Sequence, residues 1–197
     1  YSNSTYSMYK LDLHTHSILS YDGGILLAEY EQAIAEKRID YVAITDHNEI
    51  DFALRAFAKL GDHIIVGEEI MTTRGEIIGL FLKEKIRPGL TIAQTLQEIK
   101  KQQGLVYIPH PFDIRRHAIG KPNLDSITGE IDILEVFNGR NITPKNNQQA
   151  LTFSNRMNIP GAVGSDSHSR GELGRTYMII DDIPTVQNLK KQVEQGS

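Results

Sequence analysis

The stretch Tyr9-Lys10-Leu11-Asp12-Leu13-His14-Thr15-His16-Ser17 starts as a strand and runs straight into ionisable side chains. Aliphatic and aromatic residues over Tyr9 to Leu13 predict a β-strand. His14 and His16 are two positions apart, so in an extended chain they share a face and can bind one ion or two adjacent ions. The same spacing recurs in Asp166 and His168.

Outward from this stretch, seven more short runs read as strands: Tyr41 to Thr45, Ile64 to Val66, Glu76 to Phe81, Leu105 to Ile108, Ile133 to Phe137, Gly161 to Val163 and Thr176 to Ile180. Between them Leu26 to Lys37, Ala53 to Leu60, Thr91 to Gln103, Pro144 to Met157 and Thr185 to Gln195 carry helical periodicity. Thr91 and Pro144 suit helix starts and Gly104 suits a stop. Strands alternating with helices predict an α/β chain with βα units around a parallel sheet, closed or nearly closed into a barrel. At 197 residues it is shorter than the roughly 250 typical of an eight-fold barrel, so some part must be abbreviated. Asp113 to Gly129 is the longest irregular stretch and is expected over the site.

The ionisable residues gather at the C-terminal ends of these strands. The second strand leads into Asp46 and His47, the third into Glu68 and Glu69, and the fifth into His110. The sixth carries Glu135, and Asp166 and His168 follow the seventh. Ligands and catalytic groups converge on that edge of parallel β/α folds. Any one such histidine reads most simply as a hydrogen-bonded structural residue. Five of the chain's seven at one edge read as a metal site, with zinc, manganese or iron matching mixed imidazole and carboxylate donors. His63 and His117 are expected to be surface or loop residues.

Bulk properties exclude other classes. The chain has 40% hydrophobic and 23% charged residues and a net charge of -4, the profile of a globular protein rather than a disordered one. That charge argues against general binding to nucleic acid or anionic membranes. Absence of cysteine rules out disulfides, thiolate ligands and cysteine nucleophiles. No apolar run approaches a membrane span, and Tyr1 to Ser7 lacks a signal-peptide hydrophobic region, so a cytoplasmic location is expected. Residues 1–8 are expected to be a polar tail and 9–197 a single barrel domain.

Six segments, DLHTHS (Asp12 to Ser17), ITDHN (Ile44 to Asn48), VGEEI (Val66 to Ile70), IPHPFD (Ile108 to Asp113), EVFNGR (Glu135 to Arg140) and GSDSHS (Gly164 to Ser169), occur in this order. Together they resemble the polymerase and histidinol phosphatase family, the PHP family. The resemblance implies a distorted (β/α)7 barrel with two or three divalent ions at the C-terminal edge of its strands. It places His14, His16 and Asp166 on a first ion and Glu69 as a bridge to a second, with Glu68 turned away by strand alternation. His110 would ligate the second ion, joined by Glu76 where many relatives have a histidine. His47 and His168 would hold a third ion with Asp22, where some relatives place a histidine. Asp12 and Glu135 are expected to orient ligating histidines, with direct ligation by Glu135 as the alternative.

The expected chemistry is hydrolysis of phosphate esters by attack of a metal-bridging hydroxide, on a small phosphorylated molecule or a nucleotide end. The leaving oxygen needs a third ion or a proton, and His47 or His168 would supply the proton if the third site is empty. Arg116 and Arg140, with Arg170 behind them, are candidates for phosphate oxygens because a guanidinium fork matches them. Ser17, Ser165 and Ser167 lie in no nucleophile-elbow sequence and are expected to be hydrogen-bonding loop residues. The alternatives are a metal-stabilised binding or regulatory module without turnover, and a metal-dependent amide hydrolase.

Overall fold

Eight strands form one sheet in the computed structural model, which describes residues 8–196. They are β1 (Tyr9–Thr15), β2 (Tyr41–Ile44), β3 (Ile64–Thr72), β4 (Gly75–Leu80), β5 (Leu105–Ile108), β6 (Ile133–Asn138), β7 (Gly161–Gly164) and β8 (Met178–Ile180). The helices are α1 (Leu27–Ala35), α2 (Asp51–Leu60), α3 (Ile92–Lys101), α4 (Lys121–Ile127), α5 (Pro144–Met157) and α6 (Leu189–Gln195). The expected polar tail falls, but for Met8, outside the described residues. Among the described residues no helix is long and apolar enough to cross a membrane.

The strand order β7-β6-β5-β4-β3-β2-β1-β8 follows the chain except that β8 lies beyond β1. β8 pairs antiparallel with the first half of β1, Tyr9 opposite Ile180. The second half of β1 instead meets the chain after β7: His16 N donates to Ser167 O at 2.8 Å and Asp166 N to His14 O at 2.8 Å. That seam nearly closes the ring of β1 to β7 into an α/β barrel, as the strand pattern and the PHP resemblance implied.

Two connections depart from the expected alternation. β3 and β4 form an antiparallel hairpin, with Thr72 opposite Gly75 and no helix between them. The third strand is therefore nine residues long and carries Glu68 and Glu69 within it rather than at its end. Because β4 runs backwards, its start lies at the same edge as the ends of the parallel strands, which brings Glu76 to the site. β7 and β8 likewise lack an intervening helix. A further correction concerns Asp113 to Gly129, which contains α4 rather than remaining irregular.

Helix boundaries follow local chemistry. Thr91 caps α3 by accepting from Gln94 N at 3.3 Å, while Thr91 N donates to the Gln94 side chain at 3.0 Å. Pro144 opens α5, whose end is marked by Asn158 in the left-handed region, φ 53°.

Alternation along the strands sorts the interior into two layers. Leu11, Leu13, Tyr41, Ala43, Ile65, Ile78, Tyr107 and Ile133 pack together inside the barrel, joined by Leu189 and Val193 of α6. Val42, Ile44, Val66, Ile77 and Val106 face outward and pack with residues of α1, α2 and α3. A bulge in β1 resets the phase: Asp12 pairs with Val42 and Thr15 with Ile44, so Leu13 and His14 oppose Ala43 alone. Leu11 and Leu13 consequently point into the apolar floor, while His14 and His16 point into the space above it. Thr15 faces outward and its Oγ1 lies 3.0 Å from Tyr30 Oη of α1.

Candidate metal centre

Above the apolar floor, donors from six strands or strand ends converge. His14, His16, Glu69, Glu76, His110 and Asp166 are all buried, and His47 and His168 are nearly so. His14 Nε2 lies 3.0 Å from His16 Nε2 and 3.2 Å from Glu69 Oε2. The other Glu69 oxygen lies 3.0 Å from His110 Nε2. His47 Nδ1 stands 3.3 Å from Glu69 and 3.2 Å from Glu76. Asp22 Oδ2 reaches His168 Nε2 at 3.1 Å and His47 Nε2 at 3.6 Å.

The donors fall into four overlapping groups, each spanning less than 4.8 Å: His14, His16 and Asp166; His14, Glu69 and His110; His47, Glu69 and Glu76; and His16, Asp22, His47 and His168. Glu69 belongs to two of them, as a bridging carboxylate would. Glu76 lies nearer to His47 than to His110, which it approaches only to 3.8 Å. Glu68 points the other way and accepts from Ile86 N at 2.8 Å.

Cations fit this donor set. His47 Nδ1 is buried without a hydrogen bond although two carboxylates lie within 3.3 Å of it. The Nε2 atoms of His14 and His16 face each other beside Glu69, an arrangement held together by a proton or a cation between them. The titration directions express the same need. Burial opposes charging His16, yet hydrogen bonds to Asp166 and Glu69 overcome it and push the imidazole up to about 9. Glu69 and Asp166 are held well below the usual carboxylate range, because His14 and its neighbours outweigh burial. His168 goes the other way, lowered by burial and by His16.

Glu135 holds this geometry from beneath. Its Oε1 accepts from His14 Nδ1 and from Tyr107 Oη, both at 2.9 Å. Its Oε2 accepts from His110 N at 2.6 Å and Asn138 Nδ2 at 3.0 Å. Four donors fill both oxygens, so Glu135 orients His14 and leaves its Nε2 bare. Asp12 differs from expectation: it touches no imidazole. Its Oδ1 accepts from His14 N at 3.2 Å and Ser165 N at 2.9 Å, tying the β1 to β7 seam, and burial pushes it up to about 7.

The donors form the floor of a cavity of about 240 Å³ lined also by Tyr21, Arg115, Arg116, His117 and Arg140. The chain belongs to the PHP domain family. The family model described as PHP domain matches residues 12–156, and one described as PHP-associated matches 144–197. An uncharacterized protein of Methanocaldococcus jannaschii is 35% identical over 178 residues, covering 88% of this chain and 71% of that protein. A crystal structure from Bacteroides vulgatus, of a two-domain protein described as containing a predicted PHP-like metal-dependent phosphoesterase, shares the fold at TM-score 0.74 and 21% identity. The match covers 96% of this chain and 63% of that one, so the chain spans less than two thirds of that protein. The lesion-specific endonuclease EndoQ of Pyrococcus furiosus aligns at TM-score 0.69 and 16% identity, over 96% of this chain and 56% of its own.

Of the nine expected donors, Asp22, His47, Glu69, Glu76, His110, Asp166 and His168 line this cavity, while His14 and His16 lie fully buried against Glu69; both candidate arginines line it as well. Arg116 nonetheless spends its guanidinium inside the protein: Nη1 donates to Asn138 Oδ1 at 2.8 Å and to Asp166, and Nη2 donates to the Arg140 carbonyl. Arg170 lies outside the cavity, beside Arg38 and Arg175. Ser17 donates to Asp46, and Ser165 and Ser167 bond each other at 2.6 Å, so all three are structural. His63 Nδ1 donates to Asp40 O at 2.8 Å, remote from the site.

Sequence reasoning missed three lining residues, Tyr21, Arg115 and His117, and the buried Asn138 beneath them. His117 is the loop residue expected, but it stands at the cavity mouth beside Arg115. Tyr21 is 78% exposed and stacks on His47 with ring centroids 4.8 Å apart. Its adjacency to Asp22 was the available signal. Asn138 lies within the EVFNGR segment, but nothing in its spacing revealed that it would bond Asp166.

Proposed function

We propose that this PHP-family chain is a metal-dependent hydrolase of phosphate esters. The carrying observation is the pairing of four overlapping donor groups with a cationic wall across one cavity. His14, His16 and Asp166 would hold one ion, with Glu69 shared to a second near His110 and Glu76. Asp22, His47 and His168 would hold a third. Such ions supply Lewis acidity toward phosphoryl oxygens and lower the pKa of water at the site.

The side chains do the rest. Arg140 and Arg115 face the cavity from the loops after β6 and β5 and suit phosphate oxygens away from the donor floor. With the third site empty, His47 is the better proton holder of the two candidate acids: burial lowers it, but Glu69 and Glu76 more than compensate and raise it. His168 Nδ1 faces the Asp166 carbonyl at 2.7 Å, which fixes a tautomer with Nε2 bare for ligation. Tyr21 covers His47 at the mouth and limits solvent on that side.

The test is elemental analysis of purified protein with hydrolysis of a panel of phosphomonoesters, phosphodiesters and amides, with and without chelator. Metal-dependent release of phosphate or of a nucleotide end is expected. Metal-free protein turning over phosphate esters at the same rate, or hydrolysis confined to amides, would overturn the reading.

A further inference from the structure

Asp166 divides its two oxygens between different tasks. Oδ1 faces the imidazoles, 3.4 Å from His16 Nε2, 3.4 Å from His168 Nδ1 and 3.7 Å from His14 Nε2. Oδ2 faces away from them and receives Arg116 Nη1 together with Asn138 Nδ2, the latter at 3.1 Å. The residue itself sits in the left-handed region at φ 55°, an uncommon place for a non-glycine residue.

The partners of Oδ2 are themselves over-determined. Asn138 Oδ1 accepts from Arg116 Nη1 at 2.8 Å and from Arg140 N at 2.9 Å, while its Nδ2 donates to Glu135 and Asp166. A flipped amide would set its NH2 against two donors, so only one orientation satisfies the network. Asn147 in the first turn of α5 secures the Asn138 backbone, accepting from its N at 3.2 Å and donating to its O at 3.3 Å. Arg116 is anchored at its far side by the Arg140 carbonyl, with Asp113 3.7 Å from Nε.

We infer that Arg116 and Asn138 are a positioning pair that caps Asp166 Oδ2, so that Asp166 offers a single oxygen to a metal ion, and that Arg116 is not a substrate ligand. This rests on the reading of Asp166 as a metal-binding residue. A guanidinium beside a cation site carries an electrostatic cost. Here it is offset by the surplus of carboxylates, since Asp22, Glu69, Glu76 and Asp166 line the same pocket and Glu135 lies beneath it. The gain is geometric: with one oxygen capped, Asp166 neither rotates nor chelates through both atoms. Arg140, whose guanidinium is not used in this network, is left for the substrate.

The experiment measures two affinities separately, for Mn2+ and then for inorganic phosphate on the Mn2+-saturated protein, in wild type and in R116A, R116K, N138A, R140A and D166A. R116A and N138A are expected to lose about 10- to 100-fold in Mn2+ affinity, with R116K recovering part of it. Phosphate affinity at saturating Mn2+ should stay within about twofold of wild type for R116A and fall for R140A. Melting curves without metal identify a variant that fails to fold, in which case R116K carries the comparison. Unchanged Mn2+ affinity with weakened phosphate binding in R116A overturns the inference. Wild-type Mn2+ affinity in D166A overturns it through its premise, and that result separates a failed metal assignment from a failed clamp.

Discussion

His14 Nε2 stands 3.0 Å from His16 Nε2, with Glu69 Oε2 3.2 Å from the first and 3.3 Å from the second. Because Glu135 takes the proton on His14 Nδ1, the atom facing His16 is a lone pair in the neutral ring. Three electron-rich atoms this close are held together only by cations or protons. Metal loading is therefore expected to raise the melting temperature. At an ion concentration about 100-fold above Kd the gain is roughly 2.7 kcal/mol, or about 5–10 °C for a chain of this size. Calorimetric scans with Mn2+ or Zn2+ against chelator check this; coincident melting curves would contradict it.

Protons and ions compete for the same atoms. His16 is pushed up to about 9 by Asp166 and Glu69 against the effect of burial, so without metal it is protonated at neutral pH. A ligating imidazole must be neutral, so metal uptake at pH 7 should release at least about one proton. Affinity should then weaken as pH falls. Titration calorimetry in buffers of different ionisation enthalpy measures the proton count, and a value of zero would refute the assignment of His16.

Glu135 accepts four hydrogen bonds and donates none. Glu135→Gln is nearly isosteric but places an NH2 against two donors, His110 N and Asn138 Nδ2 or their counterparts on the other oxygen. Each donor left unsatisfied costs about 1–3 kcal/mol, and misorienting His14 should lower metal affinity about 10- to 100-fold. Chelator competition reads the second effect and urea unfolding the first. Wild-type values in both would show that the carboxylate is incidental.

The strand-end pattern makes much of this legible in the sequence. Hydrophobic runs marked all eight strands, and spacing of two placed His14 beside His16. What stayed hidden depends on long-range pairing. The β3–β4 hairpin was obscured because Glu68 and Glu69 look like a strand's end, whereas the strand continues through Ile70, Met71 and Thr72. The β1 bulge leaves no compositional trace, because Leu13 and His14 each suit an inward position. Arg116 reads as a phosphate ligand by residue type, and only its distances to Asn138 and Asp166 show where its hydrogen bonds go.

Gly164 has no room for a side chain. A Cβ there would lie 2.0 Å from Glu135 Oε1 and 2.9 Å from His14 Cβ. Glu135 has nowhere to retreat without losing His14 and Tyr107. Gly164→Ala is expected to destabilise by about 1–3 kcal/mol and to weaken metal binding as Glu135→Gln does. Denaturant unfolding with and without metal checks both, and a variant that binds metal normally would mean that Glu135 is not what fixes His14.

Glu68 gives a pH dependence independent of metal. It is fully buried on the outer side of β3, with one oxygen accepting from Ile86 N and the other without a partner. Burial raises its carboxyl from 4.5 to about 7, against the opposing pull of Ile86 N and Lys85. A raised acid binds its proton more tightly folded than unfolded, so its contribution is complete below pH 4.5 and is lost as pH rises toward 7. The loss amounts to about 3 kcal/mol at 1.36 kcal/mol per unit. Glu68→Gln mimics the neutral form and keeps an oxygen for Ile86 N. In metal-free protein the variant should match wild type near pH 4.5 and exceed it by up to about 3 kcal/mol at pH 8. Urea unfolding at the two pH values decides it: a constant difference between the two proteins would show that Glu68 is ionised throughout, stabilised by a charge or water at its second oxygen.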